Sequence, residues 1–232
     1  MLFSLSSCIV DFNGDGDLRC ERGRGPVANE VFVLDDFDGI ALEIPASVYL
    51  TQGTEFEVEV EGYQNLIDIL DFRIRNGVLE IDFDDCVRNV DDFRIYITMP
   101  EVRYLSIAGS GEIISENVLV CDDLDLNISG SGNINLEIDA DDVELNISGS
   151  GDVFLEGKAD NFELNISGSG DVRAFRLDAS DVDVDIAGSG DADIVANVSL
   201  RVRIAGSGSV RYRGNPDLDV RISGSGEVIN AN

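Results

Sequence analysis

The sequence predicts an all-β protein: a parallel β-solenoid of about seven coils of 18–21 residues with a β-rich N-terminal cap. The first observation behind this prediction is a pentapeptide, Ile-(Ser or Ala)-Gly-Ser-Gly, that recurs every 18 to 21 residues. Its seven copies begin at Ile107, Ile128, Ile147, Ile166, Ile186, Ile204 and Ile222. Repeats of this length are typical of solenoids, in which each repeat buries its apolar face against its neighbours.

The second observation is a strict alternation of apolar residues on both sides of the pentapeptide. One repeat shows the pattern: Leu124, Leu126, Ile128, Ile134, Leu136 and Ile138. A period of two predicts strands with one buried face. At roughly 3.3 Å per residue a coil has a contour of about 60 Å, which fits two or three short faces. We take right-handed winding of the coils as the default, because connections between parallel strands of one sheet are almost always right-handed.

The glycines of the pentapeptide keep the phase of this alternation. Ile128, Gly130, Gly132 and Ile134 share the inward phase, whereas the serines between them face outward. Glycine at an inward position indicates a tight bend or layers too close for a side chain. We therefore predict a corner at each pentapeptide that accepts no larger residue.

Residues 30–106 are rich in strand patterns but do not repeat, and residues 107–232 form the repeat solenoid. Asn76-Gly77 between two alternating runs predicts a β-hairpin. Residues 65–70 could form one helical turn. We expect 30–106 to be a cap that is continuous with the solenoid, since an uncovered strand edge invites aggregation.

The N-terminal residues are similar to a lipidation signal. Leu5-Ser6-Ser7-Cys8 resembles a bacterial lipobox, in which the cysteine is lipidated after cleavage. Only seven residues precede Cys8 and none is Lys or Arg, so a complete secretory signal would need residues further upstream. The glycine- and acid-rich stretch that follows is typical of a flexible tether. We interpret residues 1–29 as a truncated signal with a lipidation site at Cys8, followed by this tether.

Three further cysteines, Cys20, Cys86 and Cys121, leave room for one disulfide. Exported proteins form disulfides, but a sequence does not assign the pair. We take Cys86–Cys121 as the candidate because both residues lie near the junction of cap and solenoid. Three unpaired thiols are the open alternative. Without histidine or a CxxC spacing, we expect no structural zinc site.

The formal net charge is −30. This charge repels phosphate groups, so we expect no nucleic-acid partner and membrane contact only through a lipid anchor. The last coils differ because they are rich in arginine: Arg201, Arg203, Arg211, Arg213 and Arg221. We expect some of these to form cross-strand pairs with Asp183, Asp185 and Asp193 of the preceding coil.

The composition also argues against catalysis. With no histidine, the Ser-His-Asp and Cys-His triads and the HExxH zinc motif are excluded. Pairs of carboxylates arise by chance among 46 acidic residues and do not identify a glycosidase. We expect no catalytic residues, and a polysaccharide-active β-helix enzyme is the least favoured alternative.

One outward row of side chains is a candidate ligand site. The residue after each pentapeptide should stack from coil to coil, and we name the resulting row the acidic ladder: Glu112, Asn133, Asp152, Asp171, Asp191 and Glu227, with Ser209 in the sixth coil. Carboxylates about 4.8 Å apart repel one another unless they are paired, solvated or bridged by a cation. A calcium- or glycan-binding strip is one hypothesis, since oxygen ligands suit calcium. A polar ladder that simply fits the corner is the other, which we favour, and no other cofactor is expected.

Several further segments carry a resemblance to a known family: Phe37–Ile44, Val48–Gly53, Asn76–Ile81, Ile97–Pro100 and Gly208–Pro216. Together with the pentapeptides they resemble the DUF2807 family, the auto-transporter adhesin, head GIN domain, common in Bacteroidetes. The resemblance covers about residues 30–230. It implies an all-β, solenoid-like domain that is usually exported and often lipidated, with no established catalytic residues.

We therefore expect a non-catalytic interaction module of the cell envelope, an adhesin-like lipoprotein that binds an unidentified protein or glycan. Its expected location is the outer membrane or cell surface, with the periplasm as the alternative. A structural or sensory envelope domain that binds a cation or a glycan is the main alternative function.

Overall fold

A computed structural model of the chain describes residues 20–88, 90 and 92–232. The described residues are almost entirely β, with one short helix. Their strands stack into a β-solenoid of about seven turns, which confirms the predicted fold class.

The N-terminal part contains seven strands and the helix. In chain order these elements are β1 (Val27–Phe32), β2 (Gly39–Leu42), β3 (Ser47–Gln52), β4 (Glu57–Tyr63), α1 (Gln64–Ile67), β5 (Leu70–Arg75), β6 (Val78–Phe83) and β7 (Arg94–Met99). The helix is the single turn that the sequence indicates. Strands β5 and β6 form the predicted hairpin, because Asn76 and Gly77 take positive φ angles of 54° and 83°.

The repeat part contains ten strands in parallel register. They are β8 (Tyr104–Gly109), β9 (Glu112–Ser115), β10 (Leu119–Gly130), β11 (Asn133–Gly149), β12 (Asp152–Gly168), β13 (Asp171–Gly188), β14 (Asp191–Gly206), β15 (Ser209–Arg213), β16 (Asp217–Gly224) and β17 (Glu227–Asn230). Equivalent pentapeptide residues pair directly: Ile128 lies beside Ile107 on one side and Ile147 on the other. The sequence repeat is therefore the structural repeat.

The coils do not stack in the order in which they occur in the chain. Strands β2 and β3 form a coil that lies between the coil of β6 and β7 and the coil of β8 and β9. On the far side, β4 pairs antiparallel with β7, β1 with β4, and β5 with β6. These antiparallel strands cover the N-terminal end of the parallel stack.

The interior of the coils is a continuous apolar column. Leu126, Leu145, Leu164, Val184 and Val202 occupy equivalent positions in successive coils, and all are fully buried. In the described part of the chain no polar or charged residue is buried. Every acidic side chain there faces outward, so the solenoid tolerates its charge without burying an unpaired carboxylate.

The glycines of the corner are needed because successive coils touch backbone to backbone. Gly168 has a φ of +141°, and a Cβ placed on it would lie 2.2 Å from the carbonyl oxygen of Gly149 in the preceding coil. At the second glycine, a Cβ on Gly170 would lie 2.6 Å from the carbonyl oxygen of Gly151. No side chain fits at these glycines, as their inward phase predicts, because the main chain of the preceding coil occupies the space.

The predicted disulfide was wrong. Cys86 bonds to Cys20, and Cys121 is a half-buried free thiol. The reason is a local pairing that lies outside any repeat: the amide of Glu21 donates to the carbonyl of Cys86 at 2.7 Å, and Arg88 donates back to Glu21 at 2.8 Å. This bridge brings the residues before β1 against the loop after β6, where Cys20 meets Cys86.

Gly168→Val should destabilise the solenoid strongly. A branched side chain at a positive φ would strike the Gly149 carbonyl, and overpacking of this kind costs at least about 2 kcal/mol. Ser167→Val, on the adjacent exposed position, should stay within about 0.5 kcal/mol of wild type. Denaturant unfolding of both variants measures the difference. Equal midpoints for Gly168→Val and wild type would show that the corner is not closely packed.

Candidate interaction surface

The structure brings the acidic ladder together as one row. Asn133 lies beside Glu112 and Asp152, and the pairing continues through Asp171 and Asp191. Ser209 follows Asp191, and Glu227 follows Ser209. The row runs along the edge of the corner on the outside of the solenoid. The stacking that the repeat predicts is therefore present, whereas ligand binding by the row stays a prediction.

Two ladder carboxylates have protein partners. Asp191 accepts hydrogen bonds from the backbone amide and the hydroxyl of Ser209, at 2.8 and 2.7 Å. A guanidinium nitrogen of Arg173 lies 3.7 Å from Asp171. Across the part of the chain that the structure describes, no group of three or more His, Cys, Asp or Glu side chains is arranged to hold a metal ion.

Beside the ladder, on β11 and β12, the outward residues form an amide row. The side-chain nitrogen of Asn165 donates to the amide oxygen of Asn146 in the preceding coil at 3.1 Å. Each asparagine also donates to the glutamate two residues earlier, Asn146 to Glu144 at 2.8 Å and Asn165 to Glu163 at 3.2 Å. These bonds order the carboxylates of this face without neutralising them.

The arginines of the last coils pair with aspartates one coil earlier, as the sequence predicts. Arg201 contacts Asp183 at 2.6 Å, and Arg203 contacts Asp185 at 2.7 Å. On the neighbouring face Arg211 donates from Nε to Asp193 at 2.6 Å. The last coils are therefore locally neutralised, unlike the acidic middle of the solenoid.

Two shallow grooves follow the same outer face across four coils. One has a volume of about 370 Å³ and is lined by charged residues that include Glu163, Asp183 and Arg201. The other has a volume of about 450 Å³ and runs past Ala187 and Ala205, where small side chains leave more apolar surface open. Both are open troughs, suited to an extended ligand that lies across the strands.

Two outward phenylalanines on neighbouring coils were missed by the sequence analysis. Phe154 and Phe175 project from the face that follows the corner, and arginines cover both rings. The guanidinium of Arg213 lies 4.1 Å from the centre of Phe175, and that of Arg176 lies 5.9 Å from the centre of Phe154. The signal was available, because both phenylalanines occupy positions where the alternation places polar residues.

Cys121 is the free thiol of the described residues, at the junction of cap and solenoid. Burial and, to a smaller extent, the nearby carboxylates of Asp122, Asp123, Asp139 and Asp141 together raise the pKa of this thiol to about 11. At neutral pH the group is therefore a thiol and a poor nucleophile. Cys8, the predicted lipidation site, lies outside the described residues.

No helix in the described part of the chain has the length and apolar character to cross a membrane.

Comparison with known families gives a match over most of the chain. The model of the DUF2807 family, described as "putative auto-transporter adhesin, head GIN domain", matches residues 36–216. No functionally curated protein matches the chain significantly.

Solved structures with the same fold include proteins from Bacteroides and Parabacteroides species. A "putative adhesin" from Bacteroides fragilis NCTC 9343 is 27% identical, with a TM-score of 0.86 over 90% of this chain and 99% of that chain. A "putative adhesin" from Parabacteroides merdae ATCC 43184 is 22% identical, with a TM-score of 0.71 over 90% and 99%. A "putative lipid binding protein" from Parabacteroides distasonis ATCC 8503 is 24% identical, with a TM-score of 0.72 over 91% and 100%.

Cys121 should react slowly with alkylating reagents, with a steep pH dependence. In a Cys8→Ser variant, the rate of modification by iodoacetamide should rise about tenfold per pH unit up to about pH 10, because only the thiolate reacts. Free cysteine, the control, levels off above its ordinary pKa of about 8.5. Intact-mass spectra over time give both rates. A rate for Cys121 that levels off near pH 9 would contradict a pKa raised by burial.

Proposed function

Because the chain belongs to the DUF2807 family, we propose that it is an adhesin-type interaction module, exported and held at the cell envelope by a lipid on Cys8. The observation that carries the proposal is the family match over residues 36–216. The same description applies to the 27% identical structure from Bacteroides fragilis, which shares nearly the whole fold. Both are described as adhesins and not as enzymes.

The outer surface suits recognition of an extended partner. Its strands are held in fixed register by the stacked corners, so equivalent side chains recur about every 4.8 Å along the solenoid. A partner with its own repeat, such as a glycan or an extended peptide, can contact several equivalent positions at once. The two open grooves across the last four coils could each hold such a partner. The first has a charged lining and the second a more apolar one.

A cation- or glycan-binding role for the acidic ladder is the second candidate. What favours it is the direct backbone register of Asp152, Asp171 and Asp191 in three successive coils, although their carboxylates are not gathered around a common point in this structure. A divalent cation between them would relieve the repulsion of these carboxylates, and their oxygens are the ligands that calcium prefers. This role also fits a structural or sensory envelope domain.

The anchor proposal rests on Cys8 and on the resemblance of the residues before it to a lipobox. A lipidated cysteine carries several acyl chains, and each buried CH₂ contributes about 0.8 kcal/mol, enough together for stable anchoring. The disulfide between Cys20 and Cys86 ties Cys20 to the folded chain, so the span between the proposed anchor and the fold is the one from Cys8 to Cys20. Fully extended, that span reaches about 40 Å, so the solenoid would stand close to the membrane surface.

An array of glycans and host proteins, probed with and without calcium, tests the adhesion proposal. We expect binding to at least one class of ligand. If the acidic ladder takes part, Asp152→Asn/Asp171→Asn should weaken that binding or abolish its calcium dependence. Asp141→Asn/Asp160→Asn is the matched control, with the same charge change at exposed positions that lie outside the ladder and outside both grooves.

Three outcomes distinguish adhesion from cation binding by the acidic ladder. Equal effects of the two double variants would show that net charge, and not the ladder, controls binding. If both double variants still bind and the binding does not depend on calcium, the acidic ladder has no cation-binding role and the adhesion proposal stands. A folded protein that binds no member of the array at high density would count against the adhesin function.

Cys8→Ser should release the protein from membranes. In the natural precursor, the wild-type protein should partition into the detergent phase, whereas Cys8→Ser should remain in the aqueous phase with an unchanged fold. Mass spectrometry of the membrane-associated protein should show a modified Cys8 at the mature N-terminus. Membrane-associated protein with an unmodified Cys8 would rule out this anchor, and unmodified protein in the soluble fraction would indicate secretion to the periplasm or the medium.

A further inference from the structure

The C-terminal end of the solenoid presents an open edge. Among the described residues, β16 pairs only with β14, and β17 pairs only with β15. Leu218 and Ile222, which point toward the coil interior, are both 42% exposed. Their partners one coil earlier, Leu200 and Ile204, are 1% and 2% exposed. The apolar column therefore ends with one uncovered layer.

This end is the part of the chain where two copies can approach without strong repulsion. Residues 199–232 contain five arginines and three acidic residues, a net +2, in a chain of net −30. Three of those arginines pair with aspartates of the coil before. Contact between two acidic middle regions would instead bring many carboxylates together, at a cost that salt only partly screens.

The sequence of β16 is complementary to itself in the antiparallel direction. In a pair centred on Val220, Leu218 of one strand faces Ile222 of the other, so the inward residues are apolar throughout. On the outward side Asp219 of each strand faces Arg221 of the other, which gives two opposite-charge pairs. A shift of two residues in one direction places Arg221 opposite Arg221 and leaves Asp219 opposite Ser223. A shift in the other direction places Asp219 opposite Asp219 and, although Arg221 then faces Asp217, brings Pro216, which has no N–H to donate, opposite Ile222.

We infer that this end binds a second copy of the chain, through antiparallel pairing of β16 with β16 about a two-fold axis at Val220. The pairing would extend the sheet across the two molecules and cover Leu218 and Ile222. A two-fold contact uses the same patch on both partners, so it closes after two copies. The product is a dimer with the two N-terminal caps at opposite ends.

A charge-reversal series tests the pairing. Sedimentation of the full chain at up to about 100 μM should show a monomer–dimer equilibrium. Arg221→Asp and Asp219→Arg, each alone, should weaken dimerisation about tenfold, because both place like charges opposite each other twice. The double variant Asp219→Arg/Arg221→Asp restores the opposite-charge pairs and should return to the wild-type constant. Arg173→Asp, with the same charge change on β13, should leave the constant unchanged.

Single cysteines test the register in a Cys8→Ser background. Val220→Cys should form a disulfide-linked dimer on mild oxidation, because residues directly opposite in an antiparallel pair lie within disulfide range. Leu218→Cys should not, since it faces Ile222. A wild-type chain that stays monomeric, a dimer that both single charge variants leave intact, or oligomers beyond the dimer would each overturn the inference.

Discussion

The main chain of each coil rests directly on the main chain of the coil before it at the Gly-Ser-Gly corner. There the serine amide donates to the carbonyl of the first glycine of the preceding coil, at 2.8 Å for Ser150, Ser169 and Ser189. The absence of side chains on the glycines permits this approach. The contact fixes the register of the strands on both sides of the corner, and hence which residues face inward and which face solvent.

Fixed register leaves the outward positions free to vary, and their composition changes along the solenoid. The middle coils present carboxylates and amides, whereas the last coils present arginines that pair with the aspartates beneath them. Exposed ion pairs of this kind contribute only about 0–1 kcal/mol each. Their main effect is on the surface potential, which is strongly negative along the body and close to neutral at the C-terminal end.

The repeat explains why so much of the fold could be predicted. The pentapeptide and the alternation around it determine strand, phase, register and the stacking of the acidic ladder, because the same local pattern recurs and each copy supports the others. Asn76-Gly77 was equally predictable, since its turn depends on two adjacent residues. Cys20 and Cys86 were not, because their contact depends on a pairing between two non-repeated segments. Phe154 and Phe175 stand out in the sequence as exceptions to the alternation, but their arginine partners follow only from the folded structure.

The coil of β2 and β3 shows how far this fold departs from a simple winding of the chain. Gly39 pairs with Val78 on one side and with Tyr104 on the other, so one edge of the coil that comes first in the chain stays unpaired until the repeats begin. Such distant pairings carry a large loop-closure entropy and slow folding. A ribosome that has released only the first hundred residues can pair β2 with β6 and β3 with β7, but it leaves the other edge of this coil open until β8 and β9 follow. An open strand edge is a template for pairing with other chains, so the nascent protein is exposed to aggregation during this interval.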